Sequence, residues 1–255
     1  MDSLSLPTRA ESERRHWNEL FRRWDKPEAS FELRNPSDHQ SFFNSLILEQ
    51  NMSRILSVGG GIDRRAVYLA GKGIDVVMVD VSDVACEKTA ALGRQQGVKA
   101  SRLQIVCSCF EETSFLSEFD LVLAEDSLHH LDFTRAIKKI HAALRPKGRL
   151  LASEPSCFSP LVEWVHRHLP FHPEFDQTEH EIQIGHSELE QIRKTFESVE
   201  CHYFQMLHRP TVAHFLRHWN LPEVRHWLQR ADARLLQYPS VLHQFAHLVV
   251  VDAVK

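Results

Sequence analysis

The sequence has no apolar run of the roughly 18 residues that a membrane-spanning helix requires. Its N-terminus also lacks the positive start and apolar core of a secretory signal peptide. Positive charge is not in excess, because 30 lysines and arginines face 34 aspartates and glutamates, for a net charge of −4. A nucleic-acid-binding surface needs clustered positive charge. We therefore expect a cytoplasmic protein with no transmembrane segment and no nucleic-acid partner.

Paired cysteines and metal-ligand spacings are missing as well. Five cysteines are an odd number, and only one residue separates Cys107 from Cys109, fewer than in a C-x-x-C motif. This usage is typical of a reducing compartment. Of the 17 histidines, 12 follow residue 165, yet no HExxH pair and no Cys/His cluster occurs. We predict no metal site.

The apolar residues that are present follow two alternating periodicities. They make up 43% of the 255 residues, which is enough for a buried core. Strands are predicted near 54–59, 75–80, 103–108, 119–124 and 148–153. Helices are predicted near 63–72, 83–96 and 133–144, the last ending at Pro146 and Gly148 of RPKG. Strands alternating with helices predict a parallel sheet covered by helices on both faces.

Helical patterns flank this alternating region at both ends. Helices are predicted at 10–25, 38–51, 160–171, 186–196 and 211–236, with strands near 198–207 and within 245–254. In the helix at 186–196, Ser187 and Glu190 have the spacing of a capping box. The face of 160–171 that carries Leu161, Val162 and Trp164 is either a lid over an apolar acceptor or packing against the sheet edge.

The segment ILSVGGGIDRRAVYLAGKGIDVVMVD, residues 55–80, is a strand, a glycine turn, a helix and a second strand that ends at Asp80. Gly59 and Gly61 allow a sharp turn and a close approach to a ligand. Asp80, 19 residues after Gly61, can accept both hydroxyls of a ribose. A dinucleotide site requires a third glycine where Arg64 stands, which argues against a nicotinamide oxidoreductase. S-adenosylmethionine (SAM) has no phosphate and needs only the G-x-G turn and the acid.

Three further motifs follow this turn in order, and with it they cover residues 55–155. They are VVMVDVSDVACEKTAAL, FDLVLAEDSLHHL and ALRPKGRLLASEP. Together the four motifs resemble the core of the class I SAM-dependent methyltransferases. The resemblance implies a Rossmann-like, seven-stranded, mostly parallel sheet with an antiparallel last strand, with helical additions at the N-terminus and in the last third. It implies one domain, with a helical cap at 1–52, a SAM-binding core at 53–155 and acceptor-binding insertions and closing strands at 156–255.

The resemblance also implies which residues contact the cofactor. The glycine turn, Gly59 to Gly61 with Gly60 between them, would line the methionine part, Asp80 would bind the ribose, Val81, Cys109 and Phe110 would flank the adenine, and Ala124 and Glu125 would lie near the amino-acid end. The sequence departs from the family pattern at three positions. Ser57 stands in place of an acid, Asp63 in place of the third glycine and Cys109 in place of an adenine-recognising acid.

Asp63 has a parallel in one branch of the family. The turn GGGIDRRA is similar to the G-x-G-L-D-T-R-A turn of the leucine carboxyl methyltransferase group, in which the arginine is associated with the SAM carboxylate. Arg65 matches that arginine, and a guanidinium can form two charge-assisted bonds with a carboxylate. Asp63 can also cap the following helix. The alternative is that Asp63 is only a cap and Arg65 only a surface residue.

The motif LHHL after the fourth strand supplies the candidates for a catalytic base, His129 and His130. Glu125, Asp126 and Glu154 are alternatives, and one histidine of the pair can instead pack beneath the loop. We expect methyl transfer from SAM to an oxygen, nitrogen or carbon atom of a small-molecule acceptor, either a secondary metabolite or a lipid or sugar intermediate. A SAM-binding protein without methyl transfer and a protein carboxyl methyltransferase are alternatives. The sequence is compatible with a homodimer and does not identify the acceptor.

Overall fold

A computed structural model describes residues 8–23, 39–48, 52–168, 181–208, 211, 221–237 and 241–255, without the side chains of 165–167. The predictions for 24–25, 49–51, 169–171 and 212–220 lie outside these residues. Among the described helices, none combines the length and apolar character needed to cross a membrane.

Seven strands form one sheet in the order β3-β2-β1-β4-β5-β7-β6. They are β1 (Arg54–Val58), β2 (Asp75–Asp80), β3 (Leu103–Cys107), β4 (Phe119–Glu125), β5 (Leu144–Pro155), β6 (Ser198–Phe204) and β7 (Leu248–Val254). Parallel pairing joins β3 to β2, β2 to β1 and β1 to β4, whereas β7 runs antiparallel to both β5 and β6. The predicted Rossmann-like sheet with an antiparallel final strand is confirmed.

Eight α-helices lie within the described residues. They are α1 (Arg9–Arg23), α2 (His39–Leu48), α3 (Arg64–Gly71), α4 (Asp83–Gln95), α5 (Phe133–Ala143), α6 (Pro160–His168), α7 (His186–Thr195) and α8 (Pro222–Leu236). Each falls within a helix that the apolar periodicity predicted, give or take one residue at the ends.

One predicted helix end and one predicted capping box are wrong. RPKG does not end α5, because that helix stops at Ala143 and Leu144 already begins β5. The carbonyls of Ala142 and Ala143 accept bonds from Ser117 N and Glu118 N, just before β4, at 2.8 Å each. In α7 the capping acid is Glu188, whose Oε2 accepts from Gly185 N at 2.9 Å, so the predicted Ser187–Glu190 box does not form.

The chain divides into two compact units, and the first contains α1 and the region Met52–Gly148. Its strands β1, β2 and β4 are buried along nearly their whole length. Such continuous apolar strands are typical of a parallel sheet with both faces covered. Helix α3 packs on β2, α4 packs on β3, and α1 packs on α4.

The second unit contains α2 and the strands and helices that follow Arg149. A bidentate ion pair joins Arg149 of β5 to Asp252 of β7, with Nε to Oδ1 at 3.0 Å. In α6, Val162 is buried, but Leu161 and Trp164 are each more than half exposed. The apolar face predicted for this helix is therefore only partly covered, and a lid role for it stays a prediction.

Asp120 connects the starts of β1 and β4 within the first unit. Its Oδ2 accepts from the backbone nitrogens of Ser53 and Arg54 at 2.9 Å, and its Oδ1 accepts from Arg145 at 2.7 Å. Burial acts to raise the pKa of Asp120, but these hydrogen bonds outweigh it and lower the pKa to about 2. The carboxylate form is thus the one that stabilises the fold.

Replacing Asp120 with Asn should lower the free energy of unfolding by about 1–3 kcal/mol, because charge-assisted bonds to backbone donors are lost. Asp75→Asn is the matched control, since Asp75 forms an exposed ion pair with Arg102, and should cost less than about 1 kcal/mol. Urea unfolding at neutral pH measures both. Since a lowered pKa stabilises only above the unfolded value, the difference should shrink as pH falls below about 4. Equal losses in the two variants would contradict this role.

Candidate active site

The turn Gly59-Gly60-Gly61 between β1 and α3 has no room for side chains. Gly59 and Gly61 have φ angles of 64° and 58°, a region that disfavours other residues. A Cβ on Gly59 would lie 2.6 Å from the Cβ of Ser127, and one on Gly61 would lie 2.8 Å from Cζ of Phe21. A Cβ on Gly60 would lie 2.3 Å from Oδ2 of Asp63. Neighbouring side chains thus approach this turn so closely that only glycine fits at all three positions.

Asp63 caps α3, as one of the two interpretations of the sequence predicted. Its Oδ1 accepts from Ala66 N at 2.7 Å, its Oδ2 accepts from the hydroxyl of Ser57, and its own N–H donates to Thr89 Oγ1 at 3.0 Å. Burial raises the pKa of Asp63, and the bonds from Ser57 and Ala66 oppose that rise. Two departures from the family pattern, Ser57 and Asp63, thus form one buried hydrogen bond that stabilises the turn.

Arg65 forms an ion pair with Glu125 at the end of β4. Val58 and Ala124 are in register on adjacent parallel strands, so the glycine turn and Glu125 leave the sheet side by side. Glu125 Oε1 is buried and has no hydrogen-bond partner among the described residues. The pair therefore combines a guanidinium with a carboxylate oxygen that can still accept a bond.

Asp80 lies at the end of β2 and is 7% exposed. Its Oδ2 accepts from Gly61 N at 2.9 Å and its Oδ1 from Ser82 N at 2.8 Å. Burial raises the pKa of this carboxyl group, and the two backbone bonds act in the opposite direction. Asp80 thus joins the glycine turn to the loop that begins α4.

Helix α1 covers this loop through polar contacts that the sequence did not indicate. Arg14 Nε donates to the carbonyl of Val81 at 3.1 Å. The amide oxygen of Asn18 accepts from the hydroxyl of Ser82 at 2.7 Å and from Val84 N at 3.2 Å. Together with the contact of Phe21 on Gly61, these bonds hold α1 against the carboxyl ends of β1 and β2.

Cys109 follows β3 and donates its thiol proton to Glu111 Oε2 at 2.9 Å. The other oxygen of Glu111 accepts from Asp132 N at 2.8 Å, and Phe110 between them is 4% exposed. Burial and the bond to Glu111 raise the pKa of Cys109 to about 12, so the thiol is neutral. An acid is therefore present two residues after Cys109, at Glu111, where it bonds Cys109 and the backbone of Asp132.

His129 and His130 lie side by side after β4, with ring centroids 4.0 Å apart. His129 Nε2 is 4.0 Å from Glu181 Oε1, and His130 Nδ1 is 3.7 Å from Glu13 Oε2 of α1. Arg9, also on α1, donates to the carbonyl of His130 at 2.7 Å. Burial, followed by electrostatic interactions with His129, His16 and Arg9, lowers the pKa of His130 to about 2. The ring of His130 is therefore neutral near pH 7.

The predicted cofactor residues and both histidines lie in the first unit, whereas Glu154 lies on β5 in the second. Asp126 is exposed and has a φ of 48°. Sequence reasoning missed Glu13 and Asn18, the two buried residues of α1, because the helix was recognised from its apolar positions alone. The described side chains include no group of three or more His, Cys, Asp or Glu residues arranged to hold a metal ion.

Comparison with known proteins agrees with this arrangement. Residues 56–152 match the family model described as "Methyltransferase domain". A curated relative, the glycine/sarcosine/dimethylglycine N-methyltransferase of Actinopolyspora halophila, is 30% identical over 106 residues. That alignment covers 40% of this chain and 19% of the relative, so the chain spans about a fifth of the relative's length.

Solved structures with similar folds include the cyclase SpnF, with a TM-score of 0.59 and 17% identity over 98% of this chain and 96% of that one. Phosphoethanolamine N-methyltransferase 2 of Haemonchus contortus, solved with phosphomonomethylethanolamine and S-adenosylhomocysteine, has a TM-score of 0.57 and 18% identity, covering 98% and 60%. The N-methyltransferase NodS of Bradyrhizobium japonicum, solved with S-adenosylhomocysteine, has a TM-score of 0.56 and 12% identity, covering 94% and 98%. At these identities the similarities establish the fold alone.

Gly61→Ala should destabilise the protein more than Gly97→Ala. Both positions have left-handed φ angles, but a Cβ on Gly97 would have nothing within 4 Å. Gly97→Ala therefore reports the backbone strain, about 1–2 kcal/mol. Gly61→Ala adds the clash with Phe21, a further 1–3 kcal/mol or so. Urea unfolding of both variants measures the difference, and equal losses would show that α1 does not pack on the turn.

The low pKa of His130 predicts a specific pH dependence. The unfolded chain protonates this residue near its ordinary pKa of about 6.5, whereas the folded protein does not until about pH 2. Stability should therefore fall as pH decreases below about 6.5, by up to about 1.4 kcal/mol per pH unit. His130→Asn should fall less steeply between about pH 6 and pH 4.5. Urea unfolding across this range tests it, with exposed His226→Gln as the control, and an unchanged slope in His130→Asn would contradict it.

Proposed function

We propose that this chain transfers a methyl group from SAM to a nitrogen, oxygen or carbon atom of a small-molecule acceptor, because residues 56–152 match the methyltransferase-domain model and a curated methyltransferase is 30% identical over 106 residues. One observation carries the proposal. The side-chain-free glycine turn, the buried Asp80 and the Arg65–Glu125 pair meet at the carboxyl ends of adjacent parallel strands. Ligands of open α/β sheets bind at this edge.

Asp80 suits the ribose of the cofactor. Each of its oxygens accepts one backbone bond, from Gly61 or from Ser82. A carboxylate offers about four lone-pair positions, so acceptor capacity remains for the two ribose hydroxyls. The two backbone bonds also fix the orientation of the group before a ligand arrives.

The Arg65–Glu125 pair suits the amino-acid end of the cofactor. That end is a zwitterion, with an ammonium and a carboxylate on one carbon. The partnerless Glu125 Oε1 can accept from the ammonium, and the positive charge of the Arg65 guanidinium beside it attracts the carboxylate. The two charges of the protein are thus complementary to the two charges of the ligand.

The neighbourhood of Cys109 suits a neutral aromatic base. Phe110 is buried, and the neutral thiol of Cys109 brings no charge to this region because its proton is bonded to Glu111. The backbone of Val81 supplies the remaining polar group, although its carbonyl accepts from Arg14. Adenine selection would therefore rest on shape and backbone groups rather than on an acid.

SAM supplies an electrophilic methyl group on a sulfonium, and the chain must align the acceptor with it. Alignment of this kind is worth roughly 7–11 kcal/mol. Helix α1 shields the carboxyl ends of β1 and β2 from water through Phe21, Asn18 and Arg14. Neutral His130 can accept a hydrogen bond from the acceptor and orient its lone pair. We propose His129 and His130 as the groups nearest the reaction, with orientation rather than strong basicity as the main role of His130.

A SAM-binding protein without methyl transfer is the second candidate. The similarity to the cyclase SpnF over nearly the full length of both chains favours it, because that protein's name describes another reaction. Conversion of SAM to S-adenosylhomocysteine, with a methyl group appearing on an acceptor, separates the two. A cytoplasmic location, a homodimer and the division into cap, core and acceptor regions stay predictions. The five cysteines form no disulfide bond.

Two ligands separate the roles of Asp80 and Arg65. S-adenosylhomocysteine contains the amino-acid end, and methylthioadenosine lacks it. Asp80→Asn should weaken both ligands about 10- to 100-fold, because each contains the ribose. Arg65→Met should weaken only S-adenosylhomocysteine, by a similar factor. Isothermal titration calorimetry measures the four affinities.

The control for these variants is Asp75→Asn, at the other end of β2, which should bind both ligands as the wild type does. NADH should not bind, because Arg64 occupies the position of the third glycine. Equal weakening of both ligands by Arg65→Met would disprove its contact with the carboxylate. Failure of the wild type to bind S-adenosylhomocysteine would disprove the proposed function.

A further inference from the structure

The buried residues of α1 are both polar. A helix that packs on a protein core normally buries an apolar stripe. The two residues of α1 that are buried are instead Glu13 and Asn18. Asn18 is satisfied, since its amide bonds Ser82, Val84 and Asp83 of the cofactor loop. Glu13 is not satisfied, and its position requires another explanation.

Glu13 has one oxygen in use and one without a partner. Its Oε2 accepts from Trp17 Nε1 at 2.9 Å, but its buried Oε1 has no hydrogen-bond partner within the described part of the chain. The side chain is 93% buried, because only 7% of its surface is exposed. A buried carboxylate with an unused oxygen costs free energy unless a donor is supplied. Native structures contain few such groups, and a role in catalysis is one reason for them.

The surroundings of Glu13 connect it to the cofactor site. His130, next to the other candidate catalytic histidine, lies 3.7 Å away. The ring of Trp17 meets His130 edge-on at 5.0 Å and stacks on Phe21 at 5.7 Å, and Phe21 in turn contacts Gly61. Positions 13, 17 and 21 share one face of α1 because they are four residues apart. A row of side chains on that face therefore leads from the glycine turn to the unused carboxylate oxygen.

The chemistry of this row favours a cation that carries N–H donors. The carboxylate of Glu13 attracts positive charge and forms its strongest bonds with charged donors. His130 is neutral and does not repel a cation. A carboxylate or phosphate of an acceptor would instead meet the negative charge of Glu13 inside a site with little solvent.

We propose that Glu13 binds the amino group of the methyl acceptor, which is a primary or secondary amine. This inference rests on the proposed function and specifies its acceptor class. Helix α1 opens to admit the amine, since Glu13 Oε1 is shielded from solvent in the closed structure. When α1 closes, the amine N–H donates to Glu13 and its nitrogen lies beside the histidine pair.

Methyl transfer to an amine requires loss of one proton, formation of a nitrogen–carbon bond and cleavage of the carbon–sulfur bond. The ammonium of the acceptor first loses one proton to water. The nitrogen lone pair then forms a bond with the methyl carbon, and the bond between that carbon and sulfur breaks with its electron pair remaining on sulfur. The products are a methylated ammonium and neutral S-adenosylhomocysteine. No oxidant, reductant or metal is required.

Selective blocking of amines tests the acceptor class. A small-molecule extract of the source cells is treated with an N-acetylating succinimidyl ester, then with hydroxylamine to release any esters. Methyl transfer from labelled SAM by the full chain is compared in treated and untreated extract. The proposal predicts transfer to untreated extract and its loss after treatment. Transfer that survives treatment would overturn it.

Substitution of Glu13 tests the residue itself, with the acceptor fraction of the extract as the probe. Glu13→Gln should lower kcat/KM for the acceptor about 10- to 100-fold, because a charge-assisted bond becomes a neutral one. The affinity for S-adenosylhomocysteine should change less than about 2-fold, and Tm should not fall, because Gln satisfies Trp17 without burying a charge. Glu13→Asp, which keeps the charge, should retain more activity than Glu13→Gln. The matched control is Glu19→Gln, an exposed carboxylate of the same helix.

The outcomes separate this inference from the proposed function. Normal binding of S-adenosylhomocysteine with no transfer to untreated extract contradicts the methyltransferase function and this inference together. Transfer with wild-type kcat/KM in Glu13→Gln contradicts the inference alone. A fall in Tm together with lost S-adenosylhomocysteine binding in Glu13→Gln, and not in Glu19→Gln, would show that Glu13 has a structural role and would also overturn it.

Discussion

The absence of space for a side chain at Gly59, Gly60 and Gly61 is the constraint on which the rest of the site depends. Ser127 from the loop after β4 closes one side of the turn, and Phe21 from α1 closes another. Three separate parts of the chain thus meet at a backbone that only glycine allows. Under the proposed function, the cofactor would contact the peptide groups of this turn between α1 and the loop after β4.

Charge in the site is arranged by burial and pairing. Asp80 and Asp63 are buried carboxyl groups with raised pKa values, and backbone donors partly compensate both. Arg65 and Glu125 are paired, which orients the guanidinium for the ligand carboxylate that the proposed function places beside it. Preorganisation of this kind lowers the entropic cost of binding. The substitutions of Ser57 and Asp63 relative to the family pattern do not weaken this arrangement, because the two side chains bond to each other.

Features that follow from short-range periodicity or from the family pattern were predicted from the sequence. The strands, helices and glycine turn are confirmed, and so is the helix cap at Asp63. The end of α5 at Ala143 was missed because contacts with a distant segment set it. The partner of Arg65 lies 60 residues away, and no local pattern identifies such a pair. Glu13 was missed for a similar reason, since a single acid among exposed polar residues looks the same in sequence whether it is buried or solvated.

Helix α1 contacts both candidate parts of the site. Asn18 contacts the loop that begins α4, and Glu13 lies beside the histidine pair. Hydrogen–deuterium exchange of the full chain, with and without S-adenosylhomocysteine, tests the location of the cofactor most directly. The account predicts slower exchange at the backbone amides of 59–65 and 80–84 when the ligand is present, together with added protection in α1. Unchanged exchange at 59–65 and 80–84 under saturating ligand would contradict it.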